Sequence, residues 1–445
     1  MRVAVVGAGP AGFYAAELLM KEDVSTQVDL FEALPTPYGL VRYGVAPDHP
    51  KMRTVIARFD RTAAEPNFNY FGNIRLGRDI DLATLREYYD AVIITTGAQE
   101  PKPLGIPGED LPGCYTARPF IRWYNAYPDH SDTEFDLNCE AAVVIGNGNV
   151  ALDIASVLSQ APDELAKTDM ATRAIDQLRR SKVRTVYVIG RRGLVQASFT
   201  HPEITELDKI EHCDIALDPS YLQLDAADRA ELAFDDNVQQ RRFLPNFERF
   251  SQSAGQAPRR IEFRFLRSPV AIEGNGRVER IVLRKNILTG EAGARKAVAT
   301  DALETIDCGL VFSCVGYRGE ALPGIPYDDA RGTLPNDQGR VLQGGKQVPG
   351  MYVSGWIKRG PSGVIGTNKV DSKETVESLV TDLATLTPAP RRDSAALRAA
   401  LQARGARPID YQDWQKISKV EAERGGAAGK PLERFTSIAE MLALL

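Results

Sequence analysis

Short, mostly apolar runs recur along this chain, most of them closed by glycine or a turn and followed by a stretch with helical spacing. Val3 to Val6 opens the series and ends at Gly7; Gln27 to Phe31, Tyr89 to Thr96, Ala141 to Ile145 and Val183 to Ile189 repeat it. Strands that are apolar on both faces belong to parallel sheets covered by helices on both sides. Between them, Pro10 to Lys21 reads as a helix with proline tolerated in its first turn. Asp48 reads as the N-cap of a second helix running to about Arg61, with Pro50 in its first turn. A long polar helix is predicted near Pro162 to Arg180. Later strands are predicted at Ile261 to Leu266, Val278 to Arg284, Leu310 to Val315 and Met351 to Ser354. A helix from Lys369 to Leu386, the stiff linker Thr387 to Pro390 and a tail helix from Ser394 complete the chain, with Gly425 to Gly429 read as a mobile stretch. Alternating strands and helices predict an α/β fold.

Composition alters this picture little. A length of 445 residues is enough for roughly two or three domains with well-buried cores. A net charge of −5 argues against bulk nucleic-acid binding. The cysteines at 114, 139, 213, 308 and 314 form no CxxC pair, so neither a zinc site nor an iron–sulfur cluster is readable. Cys308 and Cys314 are expected on one face of a single strand, as core thiols. The chain enters its first strand at once, so no targeting peptide is expected, and no apolar run reaches about twenty residues. A cytoplasmic setting is expected.

The chemistry lies in the glycine turns. Gly7-Ala8-Gly9-Pro10-Ala11-Gly12 follows the first apolar run, and Gly146-Asn147-Gly148-Asn149-Val150-Ala151 follows the run from Ala141. In each, the first glycine makes the tight turn, the second admits a pyrophosphate, and the third position lets helix pack on strand. Phosphate then rests on free N–H groups at a helix N-terminus. Two such motifs in one chain point to a flavin dinucleotide plus a nicotinamide nucleotide, and so to electron transfer. The differences between them assign the two ligands. Glu32 closes the strand after the first motif, where a carboxylate accepts a ribose hydroxyl, which suits FAD. After the second, Arg191 and Arg192 follow Gly190, where a carboxylate would repel a 2′-phosphate and guanidiniums clamp it, which favours NADP(H). A third glycine-rich stretch, Gly355 to Asn368 with Trp356 inside it, has the look of another ligand-facing turn.

Several stretches together carry a resemblance to a known family. Gly7 to Gly12, Leu34 to Arg42, Gly44 to Pro50, Gly146 to Asp153, Gly190 to Gln196 and Gly355 to Asn368 resemble the adrenodoxin-reductase type of NADPH–ferredoxin reductase, the actinobacterial FprA kind included. The likeness spans essentially the whole chain, and the Pro35–Pro50 and Trp356–Asn368 stretches are more specific than the glycine motifs. It implies two Rossmann-like dinucleotide-binding domains, an NADP domain over 102–321 inserted into a discontinuous FAD domain over 1–101 and 322–445. It also implies hydride transfer from NADPH to FAD, then single electrons passed to an iron–sulfur ferredoxin. Position by position, Leu40 and Leu76 would contact the flavin nucleotide, while Trp356, Gly363, Val364 and Ile365 would line its ring. Asn149 to Leu152, Arg191, Arg192 and Glu203 would hold NADP, with Gly363 near the nicotinamide. Lys102 stands where relatives often carry arginine, a weaker phosphate fork. Trp356 occupies the place where many two-dinucleotide flavoproteins put an acid. His49 has two readings: support for a helix cap, or a proton relay near the flavin. The family pairs such a histidine with a glutamate on the NADP side, and Glu206 holds the matching position.

Basic residues are uneven. Positions 177–202 contain Arg179, Arg180, Lys182, Arg184, Arg191 and Arg192 with no acid, and Arg241, Arg242, Arg249, Arg259 and Arg260 form a second group. These predict electrostatic docking of an acidic ferredoxin on the NADP-domain side. The competing functions are an electron-input flavoprotein of a larger complex and an NADPH-dependent quinone reductase or monooxygenase. The first usually brings cysteine clusters of its own, and the second needs a closed cavity that no motif identifies.

Overall fold

The run Arg2–Val6 is buried along its whole length, and its side chains alternate between two different cores. Val3 and Val5 face one and Ala4 and Val6 the other, as the two-residue period of a strand dictates. In this computed structural model, which describes residues 1–130, 133–253 and 255–445, the chain forms two compact units. One comprises Met1–Glu100, Asn125–Asp129 and Gly316–Leu445; the other, Pro101–Tyr124 and His130–Val315, is inserted into it in sequence.

The sheet of the first unit runs, in spatial order, Asn336–Asp337, Arg340–Gln343, Lys346–Val353, Ala91–Ile94, Arg2–Val6, Gln27–Phe31 and Phe68–Phe71. The last five are parallel, and an antiparallel hairpin closes one edge. Phe13, Tyr14 and Leu19 of the helix Pro10–Glu22 build the core on one face together with Val376 and Leu379 of the helix Thr367–Asp382.

The second unit holds a six-stranded parallel sheet: Cys114–Thr116, Leu310–Ser313, Ala141–Ile145, Thr185–Ile189, Arg259–Arg264, Cys213–Leu217. A three-stranded antiparallel sheet, Arg267–Glu273, Arg280–Thr289 and Lys296–Asp307, packs Ile281, Leu283 and Ile306 against Val143 and Ile145.

Several expectations need correction. Asp48 does not cap a continuous helix: a 3-10 turn over Pro50–Val55, entered through His49, precedes the α-helix Ile56–Ala63. The predicted helix from Pro162 to Arg180 is two short ones, Pro162–Leu165 and Thr172–Leu178. Between them Thr168 Oγ1 donates to Leu165 O, and Ala171 is pulled aside to donate its N–H to Tyr124 O at 3.0 Å. Cys308 and Cys314 flank the strand Leu310–Ser313 rather than sharing a face of it. Gly425 is buried inside the helix Tyr411–Ala427, where a Cβ would stand 2.6 Å from Leu432 Cα; close packing accounts for this glycine. No helix among the described residues is long and apolar enough to cross a membrane.

Candidate dinucleotide-binding sites

The two glycine turns are built alike from their neighbours outward. Each central strand ends level with the next one: Val6 pairs with Phe31, and Ile145 with Ile189. Gly7 N donates to Phe31 O at 2.8 Å, and Gly146 N to Ile189 O at 3.0 Å. On the opposite side Thr95 N donates to Val6 O, and Cys314 N to Ile145 O. The first glycine of each turn is therefore wedged against a neighbouring strand. A Cβ on Gly7 would lie 2.6 Å from Thr95 O, and one on Gly146 would lie 2.8 Å from Cys314 O. The third position packs helix on strand: a Cβ on Gly12 would meet Gly7 O at 2.0 Å, and Ala151 is fully buried in the second copy.

The middle glycines differ in kind. A Cβ on Gly9 would meet no described atom within 4 Å, and one on Gly148 only Ser198 Cβ at 3.9 Å. Both are helix N-caps without a side-chain cap and without an acid in the first turn, for the helices Pro10–Glu22 and Asn149–Ser159. The open space in front of uncapped N–H groups is where a pyrophosphate fits. At the first turn, Glu32 lies against the glycines and accepts from Ala8 N at 2.9 Å and Leu34 N at 3.2 Å. Burial pushes its carboxyl up, opposed by the N–H groups of Ala8, Leu34 and Ala33. Gly39, with φ +50, brings the next segment so close that its Cβ would sit 3.0 Å from Gly9 Cα. Leu40 follows it with its side chain exposed, whereas Leu76 is buried in the core with Ile74 and Ile80.

At the second turn, Gly190 is level with Glu32 of the first, one residue past the neighbouring strand. Its Cβ would collide with Phe265 and Asn147, so glycine alone lets the turn approach the motif. Arg191 and Arg192 are exposed and ion-paired to no described residue; Arg192 has one weak bond, to Gln196 O at 3.4 Å. Asn147 Oδ1 is buried with no partner among the described residues, an acceptor left for a ligand hydroxyl. Asn149 is tied reciprocally to Thr200 through Nδ2 to Oγ1 at 3.1 Å and Oδ1 from the Thr200 N–H at 2.9 Å. That clamp fixes the helix His201–Leu207, on which Glu203 is buried and Glu206 is half-buried and ion-paired to Lys209 at 2.7 Å. A cleft of about 390 Å³ opens beside Gly193, lined also by Tyr221, Arg267 and Lys285. Lys102 is exposed in the segment just past Pro101.

The third glycine stretch is held by a residue that no motif marks. Trp356–Arg359 forms one helical turn, entered and left through Gly355 and Gly360 with φ +82 and +85. Asp371, one turn into the helix Thr367–Asp382, accepts from Gly355 N and pairs with Lys358 at 2.9 Å and Arg359 at 2.8 Å. Its partners lie twelve to sixteen positions earlier in sequence, so no local spacing reveals it. Trp356 Nε1 donates to Ser362 O at 3.0 Å, and a Cβ on Gly355 would reach Ala11 Cβ at 2.7 Å. The start of this stretch, at Gly355, therefore packs against Ala11 in the first turn of the helix that follows the first glycine motif. His49 is 9% exposed, with Nε2 3.7 Å from Asp48, and its side chain makes no cap bond to the turn it enters.

Comparison with known proteins gives a consistent picture. A family model described as pyridine nucleotide-disulphide oxidoreductase matches residues 1–206. The chain is 43% identical to NADPH-ferredoxin reductase FprA of Mycobacterium leprae, across 99% of this chain and 98% of that protein. It is 42% identical to mitochondrial NADPH:adrenodoxin oxidoreductase of Mus musculus, across 100% and 91%. The solved structure of Mycobacterium tuberculosis FprA in complex with NADPH has a TM-score of 0.93 to this one at 41% identity, covering 100% of this chain and 99% of that one.

Proposed function

The chain belongs to the family of NADPH–ferredoxin and NADPH:adrenodoxin reductases, and from that premise we propose that it is an FAD-dependent reductase that takes hydride from NADPH and passes single electrons to an iron–sulfur ferredoxin. The observation that carries this reading is the paired construction of the glycine turns, identical in backbone plan and opposite in the charge that follows. Glu32 after the first turn suits the neutral ribose of FAD, and Arg191 and Arg192 after the second suit the phosphorylated ribose of NADPH.

Within the first unit, Gly9 leaves room for the FAD pyrophosphate, the helix that begins at Pro10 supplies N–H groups to it, and Glu32 accepts a ribose hydroxyl. Leu40, Trp356 and Gly363 to Ile365 bound the space for the flavin ring, with Asp371 fixing the loop that carries the last four. Bound FAD supplies the step from two-electron to one-electron chemistry. Hydride transfer itself needs position more than acid–base help. His49 is the proton-handling candidate of this unit; in the second unit, on the helix His201–Leu207, Glu206 pairs with Lys209, and the buried acid is Glu203.

For the ferredoxin we propose the basic side of the second unit. Arg179 is neutralised by Asp163 and Asp176, Arg249 by Asp208, and Arg260 by Glu262. Arg180, Lys182, Arg184 and Arg242 keep their charge free of any described carboxylate and are the residues that steer an acidic partner. A cytoplasmic setting fits the five free thiols. The test is anaerobic reduction of the purified yellow protein. NADPH should bleach the flavin band rapidly and NADH slowly; equal rates, or a protein without flavin, would sink the proposal.

A further inference from the structure

The turn that carries Arg191 and Arg192 is held from outside the parallel sheet. Gly190 O accepts from Arg267 N at 3.0 Å, Arg191 O from Asn286 Nδ2 at 2.9 Å, and Arg192 O from Leu266 N at 3.2 Å. All three donors belong to the corner and strands of the antiparallel sheet, an element with no dinucleotide signature of its own. Asn286 is its central contact. It is 6% exposed, sits where the pairing of Arg280–Thr289 with Lys296–Asp307 slips register, and donates a second bond from Nδ2 to Ser268 Oγ at 2.8 Å. Its own N–H bonds Leu266 O at 2.8 Å, holding Leu266 at φ +54, an uncommon conformation for leucine. One buried amide thus links the two residues on either side of the corner to the carbonyl of Arg191.

We infer that Asn286 is a positioning residue for recognition of the NADPH 2′-phosphate, acting by fixing the backbone on which Arg191 and Arg192 are mounted. This rests on the proposed role of those two arginines. An exposed guanidinium on a loose turn must be ordered when the phosphate arrives, at an entropic cost that a pre-set backbone avoids. The antiparallel sheet, on this view, is a buttress that makes the second dinucleotide site selective for the phosphorylated nucleotide.

The experiment uses the FAD-loaded enzyme with Asn286→Ala and, as a near-isosteric variant that cannot donate, Asn286→Leu. Each is measured for KM and kcat with NADPH and NADH, and for binding of 2′,5′-ADP and 5′-AMP by calorimetry. The expected result is a KM for NADPH raised about three- to ten-fold and 2′,5′-ADP weakened equally, with kcat, NADH kinetics and 5′-AMP binding unchanged. In an Arg191→Ala, Arg192→Ala background the same substitutions should add nothing. An unchanged NADPH-to-NADH ratio in both Asn286 variants, or an equal penalty when both arginines are absent, overturns the inference. If the double arginine variant alone keeps the wild-type ratio, the phosphate reading itself has failed, and the inference with it.

Discussion

Replacing Gly9 by alanine separates the ligand from the fold more cleanly than any other single change. Gly9 has φ −81, so alanine adopts its backbone without strain, and the added Cβ meets no described protein atom within 4 Å. Alanine is a poorer N-cap than glycine, but it also lowers the entropy of the unfolded chain. The net change in apoprotein stability should stay below about 1 kcal/mol. On the proposed placement of FAD, the same methyl would occupy the space that the pyrophosphate needs. Forcing one extra carbon into a close-packed contact costs about 1–3 kcal/mol, which weakens FAD about five- to a hundred-fold. Gly12→Ala is the contrasting variant: its Cβ would stand 2.0 Å from Gly7 O, so it should damage helix packing and lose fold and flavin together. Titrating apoprotein with FAD by flavin fluorescence gives the dissociation constant, and thermal unfolding of the apoprotein gives the control. Wild-type FAD affinity in Gly9→Ala would refute the placement of the pyrophosphate. A large loss of apoprotein stability would refute the reading of that space as open.

Other perturbations test other parts of the account. Arg191→Ala with Arg192→Ala should lower kcat/KM for NADPH about ten- to a hundred-fold per guanidinium lost, since each charge-assisted bond contributes about 1.5–3 kcal/mol; NADH kinetics should barely move, and an unchanged ratio would place specificity elsewhere. Asp371→Ala leaves Lys358, Arg359 and the Gly355 N–H without their shared acceptor. Flavin reduction at saturating NADPH should slow several-fold, and a rate within twofold of wild type would mean that other contacts hold the loop. Asp382 is kept below the usual carboxylate range chiefly by its bonds to Arg340, against desolvation and with help from Gln347 and Tyr352. A depressed carboxyl contributes stability above its unfolded pKa and loses it as pH falls through the folded value. Asp382→Asn should therefore lower the unfolding temperature at neutral pH, with the difference shrinking below about pH 4; a constant difference would contradict the pairing.

What could be read in the sequence was what local physics dictates. The buried strands Arg2–Val6 and Ala141–Ile145 and the turns after them are marked by unbroken apolar runs and by glycines whose packing has no substitute. The tail helix starts at Ser394 as expected, because Asp393 caps it. Local sequence is silent where distant partners decide. Nothing between Pro162 and Arg180 announces that Tyr124 O will draw Ala171 out of a helix. Only one strand of the antiparallel sheet, near Val278, is marked in the sequence, because Arg267–Glu273 and Lys296–Asp307 are half exposed and carry no unbroken apolar run, although short hairpins join them to Arg280–Thr289. Asp371 and Asn286 stayed invisible for the same reason: each acts on a backbone many residues away. Gly425, read as mobile from composition, is fixed by the backbone of Leu432.

The central claim is that electrons taken from NADPH leave this protein one at a time for an iron–sulfur ferredoxin, and ferredoxin-coupled turnover tests it most directly. The FAD-loaded enzyme is given NADPH and cytochrome c, with purified acidic ferredoxin added in increasing amounts at low and at physiological ionic strength. Cytochrome c reduction should rise and saturate with ferredoxin, and its half-saturation point should shift upward as salt screens Arg180, Lys182, Arg184 and Arg242. A rate unaffected by ferredoxin, while NADPH is still consumed with oxygen or a quinone as acceptor, would contradict the account.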